Sequence, residues 1–462
     1  MVPIACLLVS VTCRHATPRT VRAVRVAWAA RWHARLALRF PARAVRWRAG
    51  GPRAVSGPRR TLAHVRHLDD AERRRRLVVR HAHRGDAGSP HEAALAVVAL
   101  HSTDPVAMTL AVAARTGAAT SEALDRALYR DRTLVRLLAM RRTVFAVPVD
   151  EVPDVLGATR AMAANQRRVT VQLLRDGGIE GDVEDFLARA ERAALDFVAQ
   201  AGEFTSADLA AADPILATRF ALVPAGAGAS QSVASRLLTM LSADGTVLRA
   251  SVVGDWTSVR FRWAGRAHWL PDLPPVPDAA TASSAVARRW LARYGPATPA
   301  DLQWWTGWTK GATTAALAGV ATEEVEAEDG PALVLAGDAE PTPDVEPTVA
   351  LLPGLDPSAM GWRERDFHLG DLGPRVFDTV GNAGPTVWVD GRVVGGWAVR
   401  DDGTVGLDLA LPRALGREHR ELVGARVAAL EAFLAGTVVK PRARRWTTAE
   451  RASRGEAAAG AG

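Results

Sequence analysis

The sequence predicts an α+β protein built of tandem winged-helix modules with a C-terminal antiparallel β-domain. Three observations predict it. "FVAQAGEFTSADL" (197–209) and "WLARYGPATPADL" (290–302) align without a gap at an offset of 93. Each copy is followed by a helix-like stretch and then by two runs of alternating character around a Gly-Asp or Asp-Gly turn. From about residue 341 the helical period gives way to alternation punctuated by Asp390-Gly391 and Asp402-Gly403, as in an antiparallel sheet or small barrel.

In chain order, residues 1–64 contain 13 Arg and no Lys, Asp or Glu. They read as a disordered extension that the natural protein lacks, with initiation expected at Val65, where "VRHLDDAERRRRL" begins a helical pattern. "SPHEAALAVVAL" (89–100) predicts a helix with Ser89 at N-cap, Pro90 at N1 and Glu92 at N3, ending near His101. Asp104-Pro105 has the form of the N-cap and first residue of the next helix, so "HSTDP" reads on its residues alone as a bend between two helices. "VAARTGAATSEAL" (112–124) is a weaker third copy of the repeat, and "TLVRLLAMRRTVFAVP" (133–148) supplies its hairpin.

In the two stronger copies a helix ends at Gly202 or Gly295, which suits a left-handed C′ position. Thr205 and Thr298 then each precede an acidic residue by three, Asp208 and Asp301, as in a capping box. "SQSVASRLLTMLSADG" (230–245) and "TKGATTAALAGV" are the third helices, and 246–263 and "EEVEAEDGPALVLAG" the wings. "REHRELVGARVAALEAFLAG" closes the β-domain as one helix. The expected divisions are 65–150, 151–270 and 271–340 for three winged helices, 341–440 for the β-domain and 441–462 for a disordered tail.

Charge and composition narrow the function. The whole chain carries 58 basic and 50 acidic residues, but without the first 64 the balance falls to −5. A body that binds DNA must therefore use a local basic patch, not a global field. Both cysteines, Cys6 and Cys13, lie in the extension, so the body has no disulfide or thiolate chemistry. His81 and His83 have no third ligand in sequence reach and read as surface histidines, and no cofactor motif is present. Of "QWWTGW", at least two of Trp304, Trp305 and Trp308 are expected in the core. If the modules bind DNA, the donors are Arg141 and Arg142 at the first hairpin tip, Ser230, Gln231 and Arg236 on a third helix, Arg260 and Arg262 on the second hairpin, and Thr309 and Lys310 on the last module. The alternative is a winged-helix protein that binds other proteins.

"ALHSTDP", "LVRLLAMRRTVF", "WTGWTKG", "LLPGLDP" and "GPTVWVDGRVVGGW" occur in the order seen in a family of actinobacterial winged-helix DNA-binding-domain proteins. That family includes the AlkZ-like and YcaQ-like DNA glycosylases, and the resemblance runs from about Val65 to Lys440. It implies a DNA channel formed by tandem winged helices and excision of N7-alkylated purines through a Gln-apolar-Gln or Gln-apolar-Asp motif. That motif falls on residues 101–103, where this chain has His101, Ser102 and Thr103, followed by Asp104-Pro105. The resemblance therefore implies His101 as a base toward water, with an ordinary pKa near 6.5, Thr103 as its orienter and Asp104 as stabiliser of a cationic sugar. The expected protein is a cytoplasmic, nucleoid-associated monomer without cofactor, acting on double-stranded, damaged DNA and not on membranes. Two outcomes stay open: a monofunctional glycosylase, or a non-catalytic DNA-binding or regulatory protein.

Overall fold

The computed structural model describes residues 65–117, 120–222, 229–410 and 415–456. The Arg-rich stretch 1–64 and the expected start at Val65 therefore fall outside or at the border of the described residues. The protein is α+β. Its strands are β1 (Leu100–His101), β2 (Leu134–Leu138), β3 (Val144–Pro148), β4 (Glu203–Phe204), β5 (Arg219–Ala221), β6 (Ser230–Ser232), β7 (Val247–Val252), β8 (Phe261–Gly265), β9 (Thr322–Ala327), β10 (Gly330–Leu335), β11 (Val349–Leu352), β12 (Thr386–Val389), β13 (Arg392–Val399) and β14 (Val405–Leu409). They form a six-stranded sheet in the order β1-β3-β2-β7-β8-β4, a four-stranded sheet β11-β12-β13-β14, and the pairs β5-β6 and β9-β10, with antiparallel pairing throughout.

Local chemistry accounts for the elements that surround these sheets. Thr205 and Thr298 each accept from the backbone N–H three residues on, and Asp208 and Asp301 reach back to the cap N–H, so both capping boxes form. In the second of these copies the order is helix, short extended segment, two further helices and hairpin; the first inserts the short helix Pro214–Ala217 and the β5-β6 pair before its last helix, Val233–Ala243. The short segment pairs with the second hairpin strand, β4 with β8 and Ala297 with Leu333. The glycines differ from expectation. Gly295 is extended (φ −72°, ψ 144°) and Gly202 has no positive φ. Gly295 is required instead by close approach, since a Cβ there would lie 2.6 Å from the Leu291 carbonyl oxygen. The left-handed glycine occurs in the weaker copy, at Gly117 (φ 67°), which ends the helix Pro105–Thr116.

The first and second hairpins are not in separate sheets. Arg136 of β2 pairs with Arg249 of β7 and joins them. The largest hydrophobic cluster likewise runs from Leu77 through Val135, Leu248, Trp290 and Trp305 to Trp388 and Ala449. The Arg-rich helix Asp70–Arg80 is clamped into this body. Arg76, 2% exposed, binds Glu72 (2.7 Å) and the carbonyls of Asp338 and Glu340 (2.8 Å each), and Arg74 binds the carbonyl of Phe367 (2.7 Å).

Part of the expected C-terminal tail is structured. Thr448–Ser453 is a helix begun by a Thr447–Glu450 capping box, packed on β13 and β14. The buried Arg444–Glu450 pair ties down the segment before it, with contacts including Nη2 to Oε1 at 2.7 Å. Among the described residues no helix is long and apolar enough to cross a membrane.

Candidate active site

The bend at 101–104 is fixed on three sides. The helix Pro90–Leu95 stops short of His101, and the chain turns at Val98 (φ 65°) before entering β1. β1 pairs with β3, placing His101 opposite Phe145. The Ser102 N–H donates to the Val144 carbonyl (2.7 Å), and Thr103 Oγ1 accepts from the Val144 N–H (3.3 Å). Arg136 holds the bend from below, donating from Nε to Ser102 Oγ (2.9 Å) and from Nη2 to the Ser102 carbonyl (3.2 Å). Asp104 then caps the helix Pro105–Thr116 by accepting from the Val106 N–H (3.1 Å).

His101 and Asp104 meet different surroundings. The His101 ring lies edge-on to Phe145, with centroids 5.3 Å apart, and its Nδ1 is buried without a hydrogen-bond partner. Burial, reinforced by the Arg141 charge, pushes its pKa down to about 3. The imidazole is neutral at physiological pH but a weak base, which corrects the expectation of an ordinary value. Burial pushes the Asp104 carboxyl up, against the opposing pull of the Val106 and Arg442 N–H groups and of the Arg444 and Arg442 charges. Asp104 faces a cavity of about 40 Å³ that Trp397, Lys440, Arg444, Trp446 and Glu450 also line. That is room for about three waters, not for a purine. Neither His101 nor Thr103 lines this cavity.

The expected DNA contacts divide by exposure. Arg141 and Arg142 sit half-buried at the β2–β3 turn, both in the left-handed region (φ 52° and 61°). Arg260 and Arg262 are exposed, as are Thr309, which caps the helix Lys310–Ala318, and Lys310. Ser230 and Gln231 lie in β6, not on the following helix, which begins at Val233 behind its cap Ser232. Ser230 Oγ accepts from Arg219, and Gln231 Nε2 donates to Ser235 Oγ (3.1 Å). Arg236 is a correction. It is 6% exposed and donates inward to Thr170 Oγ1 and Gln166 Oε1 (2.9 Å each), so it holds two helices together and presents no charge to a phosphate.

The tryptophans and histidines singled out from sequence are placed differently from expectation, with one tryptophan buried in the core where at least two were expected, while Arg365, Arg115, Asp356 and Ser358 carry no individual signal in the sequence. Trp305 is core, while Trp304 and Trp308 are half-buried and pack against that core. The guanidiniums of Arg141 and Arg365 lie over the Trp304 ring, 4.3 and 4.6 Å from its centroid. His81 and His83 are fully buried, not at the surface. His81 Nδ1 and His83 Nε2 share Ser358 Oγ (2.9 and 3.0 Å), beside the bidentate Arg115–Asp356 pair. Among the described residues no three His, Cys, Asp or Glu side chains are grouped to hold a metal.

The model of one family, described as DNA glycosylase AlkZ-like, matches residues 94–433. A solved structure, the Streptomyces sahachiroi DNA glycosylase AlkZ, has the same overall fold, with a TM-score of 0.63 at 20% identity. The likeness covers 80% of this chain and 96% of that one. No curated protein matches the sequence.

Proposed function

The chain belongs to the AlkZ-like DNA glycosylase family, and from that premise we propose that it is a monofunctional DNA glycosylase excising N7-alkylated purines. We read its helix–helix–helix–hairpin units as winged-helix modules that hold double-stranded DNA, and the protein as a cytoplasmic, nucleoid-associated monomer. The observation that carries the reading is the 101–104 bend. It lies within the matched span, is held rigid by Arg136 and β3, and presents a neutral imidazole next to a hairpin tip bearing Arg141 and Arg142.

An N7-alkylated purine is cationic and leaves as a neutral base, so the protein need not protonate it. Water adds to C1′ as the C1′–N9 bond breaks, the bonding pair passes into the purine ring, and the water proton is taken up by His101. Thr103 orients that water, and Asp104 offsets the positive charge developing on the sugar. Burial is the larger cause of the depressed His101 pKa, and DNA phosphates arriving near Arg141 offset only the smaller contribution of its charge.

The test is release of N7-methylguanine from duplex DNA by the wild type and by a His101→Ala, Asp104→Asn double variant. Absence of release, or undiminished release by the variant, refutes the catalytic assignment. One observation favours a second reading, a DNA-binding protein without excision. Asp104 is engaged as a helix cap and faces a cavity too small for a base. Salt-dependent binding with no base release would support it.

A further inference from the structure

We propose that Arg141, from the β2–β3 turn, and Arg365, which follows the "LLPGLDP" segment, form a clamp for a single phosphodiester of the DNA backbone beside His101. The proposal rests on the DNA-binding part of the reading above and not on base excision.

The two guanidiniums come from parts of the chain more than 200 residues apart and converge on one ring. Their centres stand 4.3 and 4.6 Å from the centroid of Trp304, so they are at most about 9 Å apart, the sum of those distances. One phosphate, accepting from each side at about 2.7–2.9 Å, can bridge such a span. Arg365 is held in place by a second ring, Phe377 (4.7 Å), and by its Nε donating to the Trp362 carbonyl (2.7 Å). Arg141 is fixed by the close approach of Gly307, where a Cβ would stand 3.2 Å from Arg141 Cγ.

Neither charge is neutralised by a carboxylate in direct contact. Among the described residues Arg141 forms no ion pair, and its Nε is buried without a partner. Arg365 feels Asp301 and Glu364 only at a distance. Asp301 is already committed to the Thr298 cap and to the N–H groups of Arg363 and Glu364. Arg115, Arg444 and Arg236 by contrast have polar partners, in Asp356, in Glu450, and in Gln166 with Thr170, while Arg249 stands like Arg141 over a ring, Phe261, with no ion pair among the described residues. Two half-buried cations that repel each other over one indole form a place where a bound anion is stabilised by both.

The backbone gives an independent reason to regard the turn as built for a task. Arg141 and Arg142 are consecutive residues with positive φ, in a turn closed by the Thr143 N–H donating to the Met140 carbonyl (3.1 Å). Asn-Gly or Gly-Gly would occupy it without strain. Two arginines there cost stability that the turn retains, as at sites where a side chain is needed at a set position.

The experiment measures binding of an undamaged short duplex by fluorescence anisotropy across a salt series, for wild type, Arg141→Gln, Arg365→Gln and the double variant. Each single variant is expected to weaken binding about tenfold, the loss of one charged hydrogen-bond contact, and the salt dependence to become shallower. Because both residues grip one phosphate, the double variant should depart at least threefold from the product of the single effects. Arg141→Lys and Arg365→Lys keep the charge and should recover most of the affinity, which separates the clamp from a folding defect. Binding within twofold of wild type in either Gln variant, or losses that simply multiply, overturns the clamp. Normal losses in a protein that excises no base would overturn the glycosylase reading alone.

Discussion

Acidification tests the placement of His101 directly. Burial holds its pKa at about 3, against 6.5 for an ordinary histidine. The unfolded chain therefore binds a proton through the window from about pH 6.5 to 3 that the folded chain does not, and stability falls as pH falls through it. Integrated from pH 7 to pH 5, that single group removes about 1.9 kcal/mol. His81, His83 and His368, pushed well below the ordinary value mainly by burial, act in the same direction. Asp104, with its raised value, acts in the opposite direction, from that value down to the ordinary 3.8, in the acid part of this window. A protein stable by about 5–15 kcal/mol would lose a large part of that margin by pH 5. Urea unfolding at pH 7 and pH 5 should show this fall, and His101→Phe should shrink it by about 1.9 kcal/mol. An unchanged pH dependence in His101→Phe, or a His101 ring proton that titrates near pH 6.5 by NMR in the free protein, would refute the buried, neutral placement.

Three further outcomes follow from the packing. Asp356→Asn leaves the fully buried Arg115 without its counter-charge and should cost about 3–5 kcal/mol in urea unfolding, with His81 and His83 losing an ordered neighbour in Ser358. Asp104→Ala should lose the helix cap, about 1 kcal/mol, whereas Asp104→Asn keeps a cap of equal quality. If the carboxylate charge acts in base release, both variants should be impaired in that assay although only the first is destabilised. Glu450→Ala strands the buried Arg444, and hydrogen exchange should rise first in residues 442–456, before the rest of the molecule opens.

Much of the fold was legible because it is written in local chemistry. Thr205, Asp208, Thr298 and Asp301 announce two capping boxes, and Ser89-Pro90 and Asp104-Pro105 announce two helix starts, all of which form. Asp329-Gly330, Asp390-Gly391 and Asp402-Gly403 mark turns where the glycine has positive φ. What was not legible depends on partners far along the chain. The run "ERRRRL" carries no sign of burial in its sequence, yet Arg73, Arg74 and Arg76 bind carbonyls and carboxylates some 260–290 positions away. His81 and His83 follow that run and are misread for the same reason, since Ser358 and Trp388 enclose them. Arg236 resembles a recognition-helix donor, but Thr170 and Gln166, on a helix outside the repeat, turn it inward. The structured part of the C-terminal segment did carry a readable signal. Thr447-x-x-Glu450 is a capping box, overlooked within an Ala- and Arg-rich composition.

The six-stranded sheet has a two-residue strand at each edge, β1 on one side and β4 on the other. Edges this short offer almost no ladder on which a second molecule could add a strand. β1 is also the strand that carries His101 into the bend, so brevity at that edge serves two ends at once. Extending it by two or three residues would unwind the Asp104 cap and create an adhesive border, so a lengthened β1 would be lost to aggregation as well as to chemistry.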